Sequence, residues 1–196
     1  PTRTAGGIAS IPESQGNNGL RLYIPQASWE PMLFGPINES VRQANLADLR
    51  SGSLPDLDLE VRVWICSGTK PVHGFVLTKV KGRDSAIYLG LVPGTSYFVK
   101  NPANGTRQLY DLWADLTKQE ILSLPDASQL RGAITENTGE SYVFETNSEG
   151  VYRTYRYTSQ VARKSKETEQ VRTIVSLLCA QFGIAQLQSL ESDAGN

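Results

Sequence analysis

The sequence predicts an α+β fold: an antiparallel sheet of about five to seven strands, with helices over about 37–50, 106–124 and 165–182 packed mainly on one face. Three observations carry that prediction. Residues Leu57 to Ile65 alternate without a break, so Leu57, Leu59, Val61, Val63 and Ile65 share one side of a strand and Asp58, Glu60, Arg62 and Trp64 the other. The links that follow, through Ser67-Gly68 and Lys81-Gly82-Arg83-Asp84, are too short for a parallel crossover. The strands up to Leu91 therefore read as an antiparallel meander, which argues against a doubly wound nucleotide-binding fold. Toward the C-terminus Val171, Ile174, Val175, Leu178 and Phe182 recur at helical spacing and make a docking stripe.

In chain order, residues 1–19 are rich in Gly, Ser, Asn and Thr and read as a flexible tether to a single domain over 20–190, with 191–196 as a frayed tail. Leu20 to Ile24 alternates and stops at Pro25, the pattern of a short edge strand. Trp29, Pro31, Met32, Phe34 and Pro36 form an apolar connector, after which Ile37, Val41 and Ala44 predict a helix running toward Leu49 and closed by Ser51-Gly52. Gly74 to Val80 and Ala86 to Leu91 continue the meander, and Tyr97-Phe98-Val99 adds a strand before Asn101-Pro102. Leu109, Leu112, Trp113 and Leu116 line one side of a helix. Thr117-Lys118-Gln119-Glu120 has the spacing of a capping box, which predicts a new short helix up to Leu124. Glu140 to Tyr157 is one hairpin turning at Asn147-Ser148-Glu149-Gly150, and Ser165 caps the last helix with Glu167 and Glu169 near its positive end.

Composition excludes more than it assigns. The 196 residues carry 19 basic against 20 acidic side chains, a net charge of −1, so no whole-molecule field draws the chain to nucleic acid or an anionic membrane. No apolar run approaches the roughly 20 residues that span a bilayer. The polar tether and the missing initiator Met point to an exported protein, periplasmic, envelope-bound or secreted, with an upstream signal peptide or lipid anchor. A cytoplasmic origin is the alternative. Cys66 and Cys179 each sit in or beside an apolar run and read as buried thiols ahead of a disulfide.

His73 is the only histidine, so any imidazole mechanism must use it. Cys66 lies seven residues upstream across a predicted turn. The pair is a weak candidate for a nucleophile and base. Asp84, Glu140 and Glu145 are the carboxylates to weigh for acid-base chemistry, but Glu140 and Glu145 fall on opposite sides of their strand. One histidine and two distant cysteines leave no zinc-ligand spacing, and no cofactor motif is present. Asn38-Glu39-Ser40 and Asn104-Gly105-Thr106 match the N-glycosylation pattern, one short enough to recur by chance.

The most distinctive stretch is the second hairpin arm, Val151 to Tyr157. Arg153, Tyr155 and Tyr157 share one face, and Tyr152, Thr154 and Arg156 the other. With Tyr152 expected against Tyr142 and Phe144, the exposed, ligand-binding set is Arg153, Tyr155 and Tyr157. The leading expectation is a non-enzymatic, exported binding protein for a protein or glycan ligand. Its alternatives are a hydrolase using Cys66 and His73 or a carboxylate site, and single-stranded nucleic-acid binding through the Tyr/Arg strand, which the balanced charge disfavours.

Overall fold

The computed structural model describes residues 23–50, 54, 57–90, 98–102, 108–130, 139–159 and 165–184. Its elements are α1 (Glu30–Gln43), β1 (Leu57–Ser67), β2 (Lys70–Val80), β3 (Arg83–Gly90), β4 (Phe98–Lys100), α2 (Leu109–Lys118), a short 3-10 turn (Ala127–Gln129), β5 (Glu140–Ser148), β6 (Val151–Thr158) and α3 (Lys166–Phe182). The strands form one six-stranded sheet in the order β4-β3-β2-β1-β5-β6, every neighbouring pair antiparallel. This is the predicted α+β architecture. Three of its hairpins close on two residues, and two of these turns are Lys81-Gly82 and Glu149-Gly150. All four of these residues take positive φ, at 49°, 73°, 51° and 80°, as a turn matched to the right-handed twist requires.

The alternation of β1 splits the sheet into two buried faces. Val61, Val63 and Ile65 join Phe75, Leu77, Tyr88, Tyr142 and Phe144 beneath α2 and α3. From above, Leu112, Trp113 and Leu116 of α2 and the predicted stripe of α3 complete this core. α3 is well terminated: Ser165 and Thr168 cap each other's backbone amides, and Gly183 closes the helix at φ 59°. On the opposite face α1 lays Trp29, Leu33, Phe34, Ile37 and Val41 over Trp64, Cys66, Val76, Leu89 and Val143.

Local signals misplace two elements. α1 begins at Glu30 and ends at Gln43, with Pro31 in its first turn and Gly35-Pro36 inside it. Of the apolar residues expected in a connector, Phe34 joins Leu33, Ile37 and Val41 in its buried stripe while Pro31 and Met32 stay exposed, and burial of that stripe outweighs the local preference against an interior proline. Ser51-Gly52, the expected stop, lies outside the described residues. Thr117 sits in the last turn of α2, with its hydroxyl on the Trp113 carbonyl at 2.8 Å, and the chain then turns through Glu120 at φ 58° instead of starting a helix. Tyr23 and Ile24 are irregular, not a strand, and the rest of that expected edge strand is outside the described residues, as are the tether and the tail. Among the described residues no helix is long and apolar enough to cross a membrane.

Candidate functional site

Sheet register separates the residues proposed for catalysis. Ile65 pairs with His73, so His73 lies on the α2–α3 side, whereas Cys66 belongs to the cluster under α1. The two cannot form a dyad through the sheet. Burial pushes the Cys66 thiol up to about 12, which keeps it protonated and unreactive. His73 holds its Nδ1 2.6 Å from the Tyr88 hydroxyl, and burial lowers its pKa. Cys179 is a second free, buried thiol on α3, raised to about 11 by burial and then by the Glu140 carboxylate. The carboxylates are scattered. Asp84 pairs with Lys79 toward one end of the sheet, Glu140 begins β5 at the other, and Glu145 faces α1. Among the described residues no group of three His, Cys, Asp or Glu side chains could hold a metal.

The Tyr/Arg arm also lands differently from its expectation. The two-residue turn sets Phe144 opposite Tyr155 and Tyr142 opposite Tyr157, and both tyrosines are core residues, 0% and 1% exposed. Tyr155 stacks on Phe144 at 4.6 Å with the rings 8° apart, so its face is not open to a base or a sugar. Its hydroxyl donates to the Ile121 carbonyl at 2.5 Å, and that of Tyr157 to the Pro125 carbonyl at 2.9 Å. Arg153 donates to the carbonyls of Leu122 and Leu124 and lies over the Tyr155 ring. The expected exposed set is therefore a clamp that holds residues 121–125 along the β6 edge.

The other face of the same strands holds an unusual concentration of polar chemistry. Glu60, Arg62 and Trp64 of β1, Glu145 and Asn147 of β5, and Arg156 of β6 are all buried there. Glu145 is the hub, accepting from the Trp64 indole at 2.7 Å and the Tyr152 hydroxyl at 2.9 Å, with Arg50 Nε at 3.7 Å. Gly74 makes room for that indole: a Cβ there would lie 2.6 Å from the ring. Arg62 Nε donates to Glu60 at 2.6 Å and Nη2 to the Ala47 carbonyl at 2.6 Å, while its Nη1 has no partner among the described residues. Asn147 donates to the Leu49 carbonyl. Beyond the β6 edge, Asp126 accepts from the Trp29 indole at 2.9 Å and from the Arg156 amide at 2.8 Å. Burial raises the pKa of Glu30, against the opposing pull of the Tyr23 hydroxyl bonded to it.

No protein-family model, curated protein or solved structure matches this chain. What the face can do follows from its side chains. Carboxylates and guanidiniums supply paired acceptors and donors, and an indole and a phenol offer apolar surface with a polar tip. The alternation of β1 already puts Glu60, Arg62 and Trp64 side by side, and a tryptophan amid charges was the signal that this was no solvent face.

Proposed function

We propose that the chain is a non-enzymatic binding protein whose protein or glycan ligand contacts the sheet face of Glu60, Arg62, Trp64, Glu145, Tyr152 and Arg156. One observation supports this above the others. On a face removed from water, charges stand where apolar side chains of similar volume would hold the fold at least as well. Such departures from packing logic concentrate at functional sites. The hydrolase alternative has no comparable support, since Cys66 and His73 lie across the sheet from each other. Export is the companion proposal, supported by the composition of residues 1–19. N-terminal sequencing of the natively produced protein tests it: a processed terminus supports export, and an intact cytosolic one rejects it.

Glycan and peptide arrays probed with the labelled protein test the binding reading. The wild type and a Cys66→Ala/His73→Gln variant should mark the same features, and Glu145→Gln and Arg62→Gln should lose them while still folded. An unchanged pattern in those two variants would remove the face from consideration. Turnover of ester or peptide substrates that depends on Cys66 and His73 would restore the hydrolase.

A further inference from the structure

We infer that residues 23–50 form a displaceable cover, closed over the polar sheet face and able to lift from it as one piece. That the lifted state is the binding-competent one rests on the function proposed above. The opening itself is a property of the fold, and four features of the structure support it.

First, α1 is weak as a helix. Gly35 and Pro36 occupy its interior, and its N-cap, Trp29, makes no side-chain cap. Its structure is maintained by what it lies on. Second, side chains tie this segment to the strands and the Asp126 turn: hydrogen bonds run from Arg62 to the Ala47 carbonyl, from Asn147 to the Leu49 carbonyl and from Trp29 to Asp126, and Arg50 forms an ion pair with Glu145 at 3.7 Å. Among the described residues none of 23–50 is paired into the sheet ladder, so lifting the segment breaks no strand pairing.

Third, the segment is stitched to itself. Glu30 accepts from Tyr23 and from the amides of Gln26 and Ala27, while Arg50 lies over the Phe34 ring and bonds Asp48 and Asn38. These contacts make the segment one cooperative unit, so it opens as a whole. Fourth, lifting it uncovers Glu60, Arg62 and Glu145, whose rehydration offsets part of the lost apolar contact. The α2–α3 side has no such compensation, because its face is aliphatic and aromatic. An opening confined to one element, with the rest of the core intact, is the ordinary behaviour of the least stable unit of a fold.

The protein carries its own reporters, one thiol on each side: Cys66 in the cluster under α1, and Cys179 in the core under α3. The test is the rate at which each reacts with Ellman's reagent in native buffer, read by absorbance and assigned with Cys66→Ala and Cys179→Ala. Cys66 should react well before Cys179 and faster than global unfolding measured by circular dichroism. Trp29→Phe, which removes the indole bond to Asp126, should speed Cys66 roughly five-fold, the equivalent of one net hydrogen bond, and leave Cys179 unchanged. Early labelling of Cys66 together with array patterns indifferent to Glu145→Gln and Arg62→Gln would keep the cover and discard the proposed binding face. Labelling of both thiols at one rate equal to that of global unfolding, or equal acceleration of both by Trp29→Phe, would overturn the cover.

Discussion

The two sides of the sheet are equally dry but are assembled on different principles. Beneath α2 and α3 the strands present Val61, Val63, Phe75, Phe144 and Tyr155, and α3 arrives fully capped at both ends. Beneath α1 they present Glu60, Arg62, Trp64 and Glu145, and the helix has an interior Gly-Pro pair and no side-chain cap. The first side is stabilised by apolar area, a term that tolerates small changes in geometry. The second depends on every charge keeping its partner, because an unpaired buried charge costs more than the pair contributes. Complete burial therefore does not distinguish a face held by apolar area from one held by paired charges; the chemistry of what is buried does.

The comparison yields variants that should behave differently on the two sides. Phe144→Ala empties the stack with Tyr155 and should lower global stability by about 3–5 kcal/mol in urea melts, with protection falling in α3 while that of α1, set by its own local opening, changes little. Equal loss in both helices would show that α1 opens only together with the rest of the fold. Glu145→Gln keeps the shape but removes the charge facing Arg50 and weakens the acceptor for Trp64 and Tyr152. It should cost about 1–3 kcal/mol, and α1 should lose protection before α3 does. Equal loss in both helices would erase the distinction between the sides. Ser165→Ala removes the cap of α3 and should cost about 1 kcal/mol. Trp29→Ala has no cap bond to remove from α1, so any loss it causes reports the Asp126 contact and packing.

Protons give the smallest and most discriminating effect. His73 has a lowered pKa through burial, so the unfolded chain binds its proton more readily. Its stabilising contribution is present above the ordinary value of 6.5 and is lost as the pH falls below it. Glu30 has a raised pKa, again through burial, so the folded chain holds its proton longer. Its contribution is present at low pH and is lost as the pH rises from 4.5 through the folded value. Urea midpoints taken from about pH 7.5 down to about 5 should therefore decline less in His73→Gln than in the wild type. Glu30→Gln should remove the opposing gain. Identical pH curves for the wild type and His73→Gln would show that His73 titrates as freely in the folded protein as in the unfolded chain.

Much of the architecture was legible because its signals are local. Strict alternation from Leu57 to Ile65, turn residues suited to positive φ at Gly82 and Gly150, and the stripe and cap of α3 each declare an element within a few residues. The failures involve partners distant in the chain. Pro36 is a helix breaker by local preference, and only the burial of Leu33, Phe34 and Ile37 on β1 and β2 overrides it. Register was available in principle, since a turn at Glu149-Gly150 already places Phe144 opposite Tyr155. It directs Tyr155 into the aromatic face and Tyr152 to the other side. The polar network was invisible because Arg50 reaches Glu145, and the carbonyls of Ala47 and Leu49 reach Arg62 and Asn147, from a stretch that reads as the end of a helix and folds as irregular chain.

Native-state hydrogen exchange in increasing sub-denaturing urea tests the central claim, that the two sides are held independently. The amides of α1 should open with a lower free energy and a shallower urea dependence than those of β1 and α3, the mark of a local unit lifting from an intact core. If α1, β1 and α3 share one opening free energy and one slope, the sheet and all its helices open together and the cover does not exist.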